Sequence, residues 1–145
     1  MKKWQAALFM LIVFAAGYLA GIFFSEEEVS REIRVGYQDS KREDVIHFNK
    51  IIKNTENQNA VDNIMMIFMA KDRIEEPGVN LDKPDFFIKV LSPKQYTSLI
   101  DSRIWFADDG AVIADRSGES WENVKYYSIP KPAADYLKET IGYKE

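Results

Sequence analysis

Apolar and polar positions divide the chain into two unequal parts. From Trp4 to Phe24 runs WQAALFMLIVFAAGYLAGIFF, which holds no charge and one amide, Gln5. Coiled as a helix at about 1.5 Å per residue, this run is about 31 Å long. A bilayer hydrocarbon core is about 30 Å thick. Trp4 and Tyr18 stand toward the two ends, where aromatic rings favour the interface. Lys2 and Lys3 precede the run and Glu26, Glu27 and Glu28 follow it. A basic flank stays on the cytoplasmic side, which puts everything after residue 24 outside. Residues 1–24 are thus read as a cytoplasmic tip and a single transmembrane anchor.

Three other readings compete with the anchor. A cleaved signal peptide would use Ala15 and Gly17 as its small-x-small pair, removing residues 1–17. Against it, membrane-compatible residues continue to Phe24. A buried core helix and a helix lying flat on the membrane would each keep a polar stripe, and none is present. Within the run, Gly17 and Gly21 form a G-x-x-x-G extended by Ala16 and Ala20. Small residues four apart let two helices pack closely, which suggests a homodimer through the anchor. The plainer explanation is that Gly and Ala are common in membrane spans.

Residues 25–32, SEEEVSRE, read as a juxtamembrane tether, and 33–145 as one α+β domain. Ile33, Val35 and Tyr37 alternate with polar residues and predict a strand, weakened by Gly36. Ser40 and Glu43 have capping-box spacing. Val45, Phe48 and Ile52 then follow at helical intervals beside Ile51, predicting a helix over 41–54. Residues 60–75 fit a helix through Val61, Ile64, Met65 and Phe68, or a short buried strand through IMMIFMA. The methionines favour the helix. Pro77-Gly78 ends the element.

Beyond it the pattern becomes β. DFFIKVL carries an apolar face of Phe86, Ile88 and Val90. RIWFA and AVIADR flank Asp108-Asp109-Gly110, a hairpin signal. Lys125–Ile129 reads as a further strand. Pro130 opens and Gly142 closes a final helix with Ala134, Leu137 and Ile141 on one face. The expected order is strand, two helices, a three-stranded antiparallel meander and a helix, with helices covering one face of the sheet.

Composition narrows the chemistry. One domain and a short appendage fill 145 residues. Cysteine is absent, which excludes disulfides, thiolate chemistry and a lipobox acyl-cysteine. Of 19 basic and 23 acidic side chains, Lys2 and Lys3 are the only two before residue 25, so the remainder carries about −6. That balance argues against nucleic acid as a partner and against docking on anionic head groups. His47 is the only histidine, and Glu43 the only carboxylate near it on the expected helix face. A solvated or edge histidine is the better reading than a relay or a zinc site. Asp108, Asp109 and Asp115 surround a turn whose geometry already calls for Asp and Gly, and they do not match a calcium loop. No phosphate-cradling glycine loop occurs. The expectation is therefore no catalytic set, no cofactor and no metal.

Aromatic residues are the remaining candidates. Trp105 and Phe106 cannot both point into one core from a single strand. One of them, or Trp121, is a candidate contact for a protein partner. The leading reading is a non-enzymatic interaction or sensor domain. A small-ligand or peptide pocket lined by the aromatics, Tyr126 and Tyr127 included, is the alternative. A cell-wall enzyme working with carboxylates alone comes third.

From Pro77-Gly78 through KPDFFIKV, RIWFADDGAVIADR and YYSI to the closing helix, the chain resembles the small YhfM-like domain. That domain occurs in lipoproteins and membrane-anchored proteins of Bacillus and relatives. The resemblance covers roughly half the chain and rests on structural motifs. It implies an extracytoplasmic location and an α+β fold, and it implies no reaction. Without a lipobox cysteine, the transmembrane helix would take the place of the lipid.

Overall fold

The computed structural model describes residues 3–24, 28–42, 44–118 and 120–143. Helix α1 spans Lys3–Phe24. The Trp4–Ile22 stretch is long and apolar enough to cross a membrane, and none of it is buried. Lys2, Glu26 and Glu27, which the flanking-charge reading uses, lie outside the described residues, and so does Glu43.

The rest is an α+β unit built on one antiparallel sheet. Its strands are β1 (Glu32–Gln38), β2 (Ile46–Lys53), β3 (Asp72–Ile74), β4 (Phe86–Ser92), β5 (Thr97–Ala107), β6 (Gly110–Arg116) and β7 (Val124–Pro130). They lie in the order β2-β1-β4-β5-β6-β7-β3. Strands β4 to β7 form a four-stranded meander, one strand for each of the four β segments named above, where the expected order counted three. The short strand β3 pairs with β7 at one edge, while β2 pairs with β1 at the other. The chain between β2 and β3 must therefore cross the whole sheet. Six inter-strand spacings make that distance about 29 Å. Helix α2 (Gln58–Ala70) covers most of it, at about 20 Å. Asn57 caps α2, its side chain accepting from the Ala60 N–H at 3.0 Å.

Alternation along the strands sorts side chains onto two faces. Ile33, Val35, Phe86, Ile88, Val90, Ile104, Ile113 and Ile129 point to one face. There they meet Val61, Ile64 and Phe68 of α2, and Ala134, Leu137 and Ile141 of helix α3 (Lys131–Ile141). The expected face of Phe86, Ile88 and Val90 is fully buried here. The helix reading of residues 60–75 holds for α2, with β3 taking the end of that segment. Gly142 closes α3 in the left-handed conformation, at φ 71°.

The expected helix over 41–54 is overturned, because residues 46–53 are strand β2. The apparent helical period has a specific origin. The β1–β2 register shifts between Val35 and Gly36, where Lys50 opposes Val35 and Phe48 opposes Gly36. Asn49 is thus an extra residue, a bulge. It puts Phe48 and Ile51 on the same face of a strand although they are three apart. Ile52 faces the helices instead. Gly36 fits the arrangement, since a Cβ there would lie 2.8 Å from Ile46 and 2.9 Å from Phe48. The capping role falls to Asp39 in a turn, its carboxylate accepting from the Lys41 and Arg42 N–H groups.

Candidate functional site

The face of the sheet away from the helices is only partly covered, and it carries the partly buried cation Arg103. Its small apolar cluster is Trp105, Val112 and Ala114, with Ile74, Val79 and Tyr126 against them. Trp105 is 4% exposed. Phe106, its neighbour, points to the helix side and stacks edge-on against Tyr143 at 4.8 Å. Lys138 adds a cation over the same ring at 4.7 Å. Both aromatics are therefore covered, one on each face. A partner cannot reach Trp105 without moving the chain above it.

Trp121 is half-buried and takes part in a stack. The Arg103 guanidinium lies 4.0 Å over its ring and 5.8 Å from Phe87. Arg103 sits two residues before Trp105 on β5, so both project from the same face. Its Nε is buried and has no hydrogen-bond partner among the described residues, and neither has Trp105 Nε1. Burial pulls the Arg103 pKa down, opposed by the nearby Asp101 carboxylate. Asp101 does not pair with it directly. Its Oδ2 is held by Arg116 at 2.9 Å and by Lys89 at 3.7 Å. Arg103 is thus a partly buried cation stacked on an aromatic ring, with its Nε–H unpaired among the described residues.

Two clefts lie against different stretches of the segment between β3 and β4, residues 77–79 and 81–84. One, of about 830 Å³, is lined by Arg103, Asp39, Asp82 and Lys83 among others. The other, of about 520 Å³, lies against Ile74, Val79 and Val112, with Asp72 and Asp109 on its rim. The helix-side core is closed by its own side chains. No aromatic side chain among the described residues lines either cleft, so neither is the aromatic-lined pocket of the alternative reading.

The remaining candidates separate in space. Asp108 and Asp109 form the two-residue turn between β5 and β6. Asp115 faces the helix side instead, accepting from Ser102 Oγ at 2.6 Å and pairing with Lys71 Nζ at 2.6 Å. His47 lies on β2 rather than on a helix, exposed, with its Nε2 2.7 Å from Asp39 Oδ2. No group of three or more His, Asp or Glu side chains is placed to hold a metal among the described residues. Gly17 and Gly21 have nothing within 4 Å of where a Cβ would stand. No family model, no curated protein and no solved structure matches the chain.

Sequence reasoning singled out Trp121 and Trp105 but missed Arg103, which carries the site. An Arg two positions before a Trp on a strand was the available signal.

Proposed function

We propose that the chain is a single-pass membrane protein whose C-terminal domain is an extracytoplasmic interaction module without catalytic activity. Its N-terminus is cytoplasmic, and the resemblance to YhfM-like domains supports the same location. The observation that carries the binding reading is Arg103, stacked on Trp121 at 4.0 Å with its Nε buried and unpaired. A partly buried guanidinium with no ion-paired carboxylate among the described residues favours an incoming anionic group, because a charge-assisted hydrogen bond offsets what burial costs the cation. The adjoining cleft, with Asp39, Asp82 and Lys83, suits an extended peptide bearing one acidic residue.

In-cell cross-linking of a C-terminally tagged chain, followed by identification of what is attached, tests this. A recurrent extracytoplasmic partner that disappears with Arg103→Ala is the expected result. A partner retained unchanged by Arg103→Ala and by Trp121→Ala refutes the site. The carboxylate-enzyme reading keeps one observation, since Asp72 and Asp109 line the same cleft. Turnover of cell-wall material that is lost in Asp72→Asn and Asp109→Asn would favour it.

A further inference from the structure

The turn joining β4 to β5 is the most exposed apolar point of the domain. Residues 94–99 are all exposed. Tyr96, which ends a single 3₁₀ turn over Pro93–Gln95, is 97% exposed. Leu99, three residues on, is 40% exposed. The hairpin also projects. Strand β5 begins at Thr97, but its pairing with β6 begins only at Ser102.

Tyr96 is the only described residue other than glycine with positive φ, at 52°. A left-handed turn position favours Gly, Asn or Asp, and an aromatic residue there is strained. The Tyr96 N–H donates to the Pro93 carbonyl at 3.2 Å and closes the 3₁₀ turn, but the side chain is left almost wholly exposed. A strained, exposed aromatic at a turn points to a contact outside the domain.

The location of the turn identifies that contact. Lys94 Nζ pairs with Glu28 Oε2 at 2.8 Å. The pairing holds the Glu28 carboxyl below the usual range and raises the Lys94 pKa. Glu28 is four residues beyond Phe24, the last residue of α1. Four residues span at most about 14 Å. The turn thus lies beside Glu28, which is within about 14 Å of chain from the end of the helix proposed to cross the bilayer. The charges of Lys94 and Glu28 offset each other, so the tip carries no net repulsion from the acidic domain.

We infer that the β4–β5 turn rests in the outer head-group layer of the membrane that α1 spans, with Tyr96 inserted at the interface and Leu99 behind it. Tyrosine suits that depth, with its ring against acyl chains and its hydroxyl in the hydrated layer. The contact needs no anionic lipid. It gives the domain a fixed tilt, with the Arg103 face presented at a set height. This inference rests on the membrane-anchor reading and is independent of the Arg103 site.

The native chain lacks cysteine, so single labels can be placed cleanly. The full chain is reconstituted in phosphatidylcholine vesicles with a fluorophore at Gln95→Cys or, for comparison, at Asp108→Cys in the β5–β6 turn. Head-group-attached spin labels should quench the first several-fold more than the second. Tyr96→Asn should abolish that difference while raising the melting temperature, because Asn accepts the left-handed position. A purely structural turn would show the stability gain alone. Equal quenching at both sites, in a chain that floats with the vesicles, overturns the contact and leaves the anchor intact. A label shielded from aqueous quencher but untouched by the lipid-borne one reveals a protein occupant and also overturns it. A chain that does not float with the vesicles overturns anchor and contact together.

Discussion

Lys71 gives the sharpest test of how α2 is held to the sheet. It follows α2 directly, and its side chain is 11% exposed. Its ammonium pairs with Asp115 at 2.6 Å and lies over the rings of Tyr127 and Phe68, at 4.5 and 5.1 Å. Asp115 also accepts from Ser102, which is fully buried. Removing one partner of a buried pair costs about 3–5 kcal/mol, because the other charge is left uncompensated. The Asp115 side chain is 25% exposed, so water can partly replace the lost cation. Lys71→Ala should then cost about 2–3 kcal/mol, including the lost ring contacts. For a domain of this size that is a fall of about 10 °C in melting temperature. The desolvation argument makes a second demand. Replacing all three polar groups together, as Lys71→Met, Asp115→Leu and Ser102→Ala, should return the protein to within about 1 kcal/mol of the parent. Thermal and denaturant unfolding of the full chain in detergent measures both. A triple variant as unstable as Lys71→Ala would refute the reasoning, since the loss would then reflect packing rather than an abandoned charge.

Other expectations follow from single positions. A Cβ on Gly110 would stand 2.0 Å from the Ile129 carbonyl oxygen, so Gly110→Ala must push β6 from β7 and should cost more than about 4 kcal/mol; an unfolding curve like the parent's would contradict that close approach. Gly17→Ile with Gly21→Ile meets nothing in the monomer, so it should leave folding alone and abolish self-association in membranes if the anchor pairs; unchanged association removes the pairing idea. The Asp39 carboxyl is held below its usual range, first by the Lys41 N–H and then by His47 and the Arg42 N–H. A depressed carboxylate stabilises the fold above its unfolded pKa and loses that contribution as pH falls through the lower folded value. The β1–β2 turn should therefore loosen only in acid, seen as faster amide exchange at Lys41 and Arg42, and Asp39→Asn should remove that dependence.

The parts of the fold legible in the sequence were those with one dominant pattern. The apolar run of α1, the alternation of β4, the Asp-Asp-Gly turn and the amphipathic face of α3 each pointed one way. The helix expected over 41–54 rested on the spacing of Val45, Phe48 and Ile52, but Val45 precedes β2, and the bulge at Asn49 leaves Phe48 and Ile51 on one face while Ile52 turns to the core. An edge strand with one neighbour also buries little, and only Ile52 of β2 falls in the core. Strand β3 has three residues, too few for any periodicity. The site was half legible. Trp121 and Trp105 stood out by type, but Arg103 becomes unusual only when the chain places it over Trp121 and gives Asp101 to Arg116 and Lys89. That distribution of ion pairs depends on strand register, which local sequence does not encode.

The position of β1 has a mechanical consequence. The tether enters the domain at β1, and β1 lies between β2 and β4 rather than at an edge. A load drawn between the anchor and a partner seated at the other end of the sheet would run along this strand. The hydrogen bonds to both neighbours would then be sheared together instead of being peeled one by one. Ahead of that ladder sits a weaker clip, the Asn54 side chain accepting from the Ser30 and Arg31 N–H groups. Under tension the clip should yield first, lengthening the leash by a few residues while the sheet stays whole. With α1 as the proposed anchor, a pull strong enough to open this clip would free a few residues of slack before the sheet is loaded.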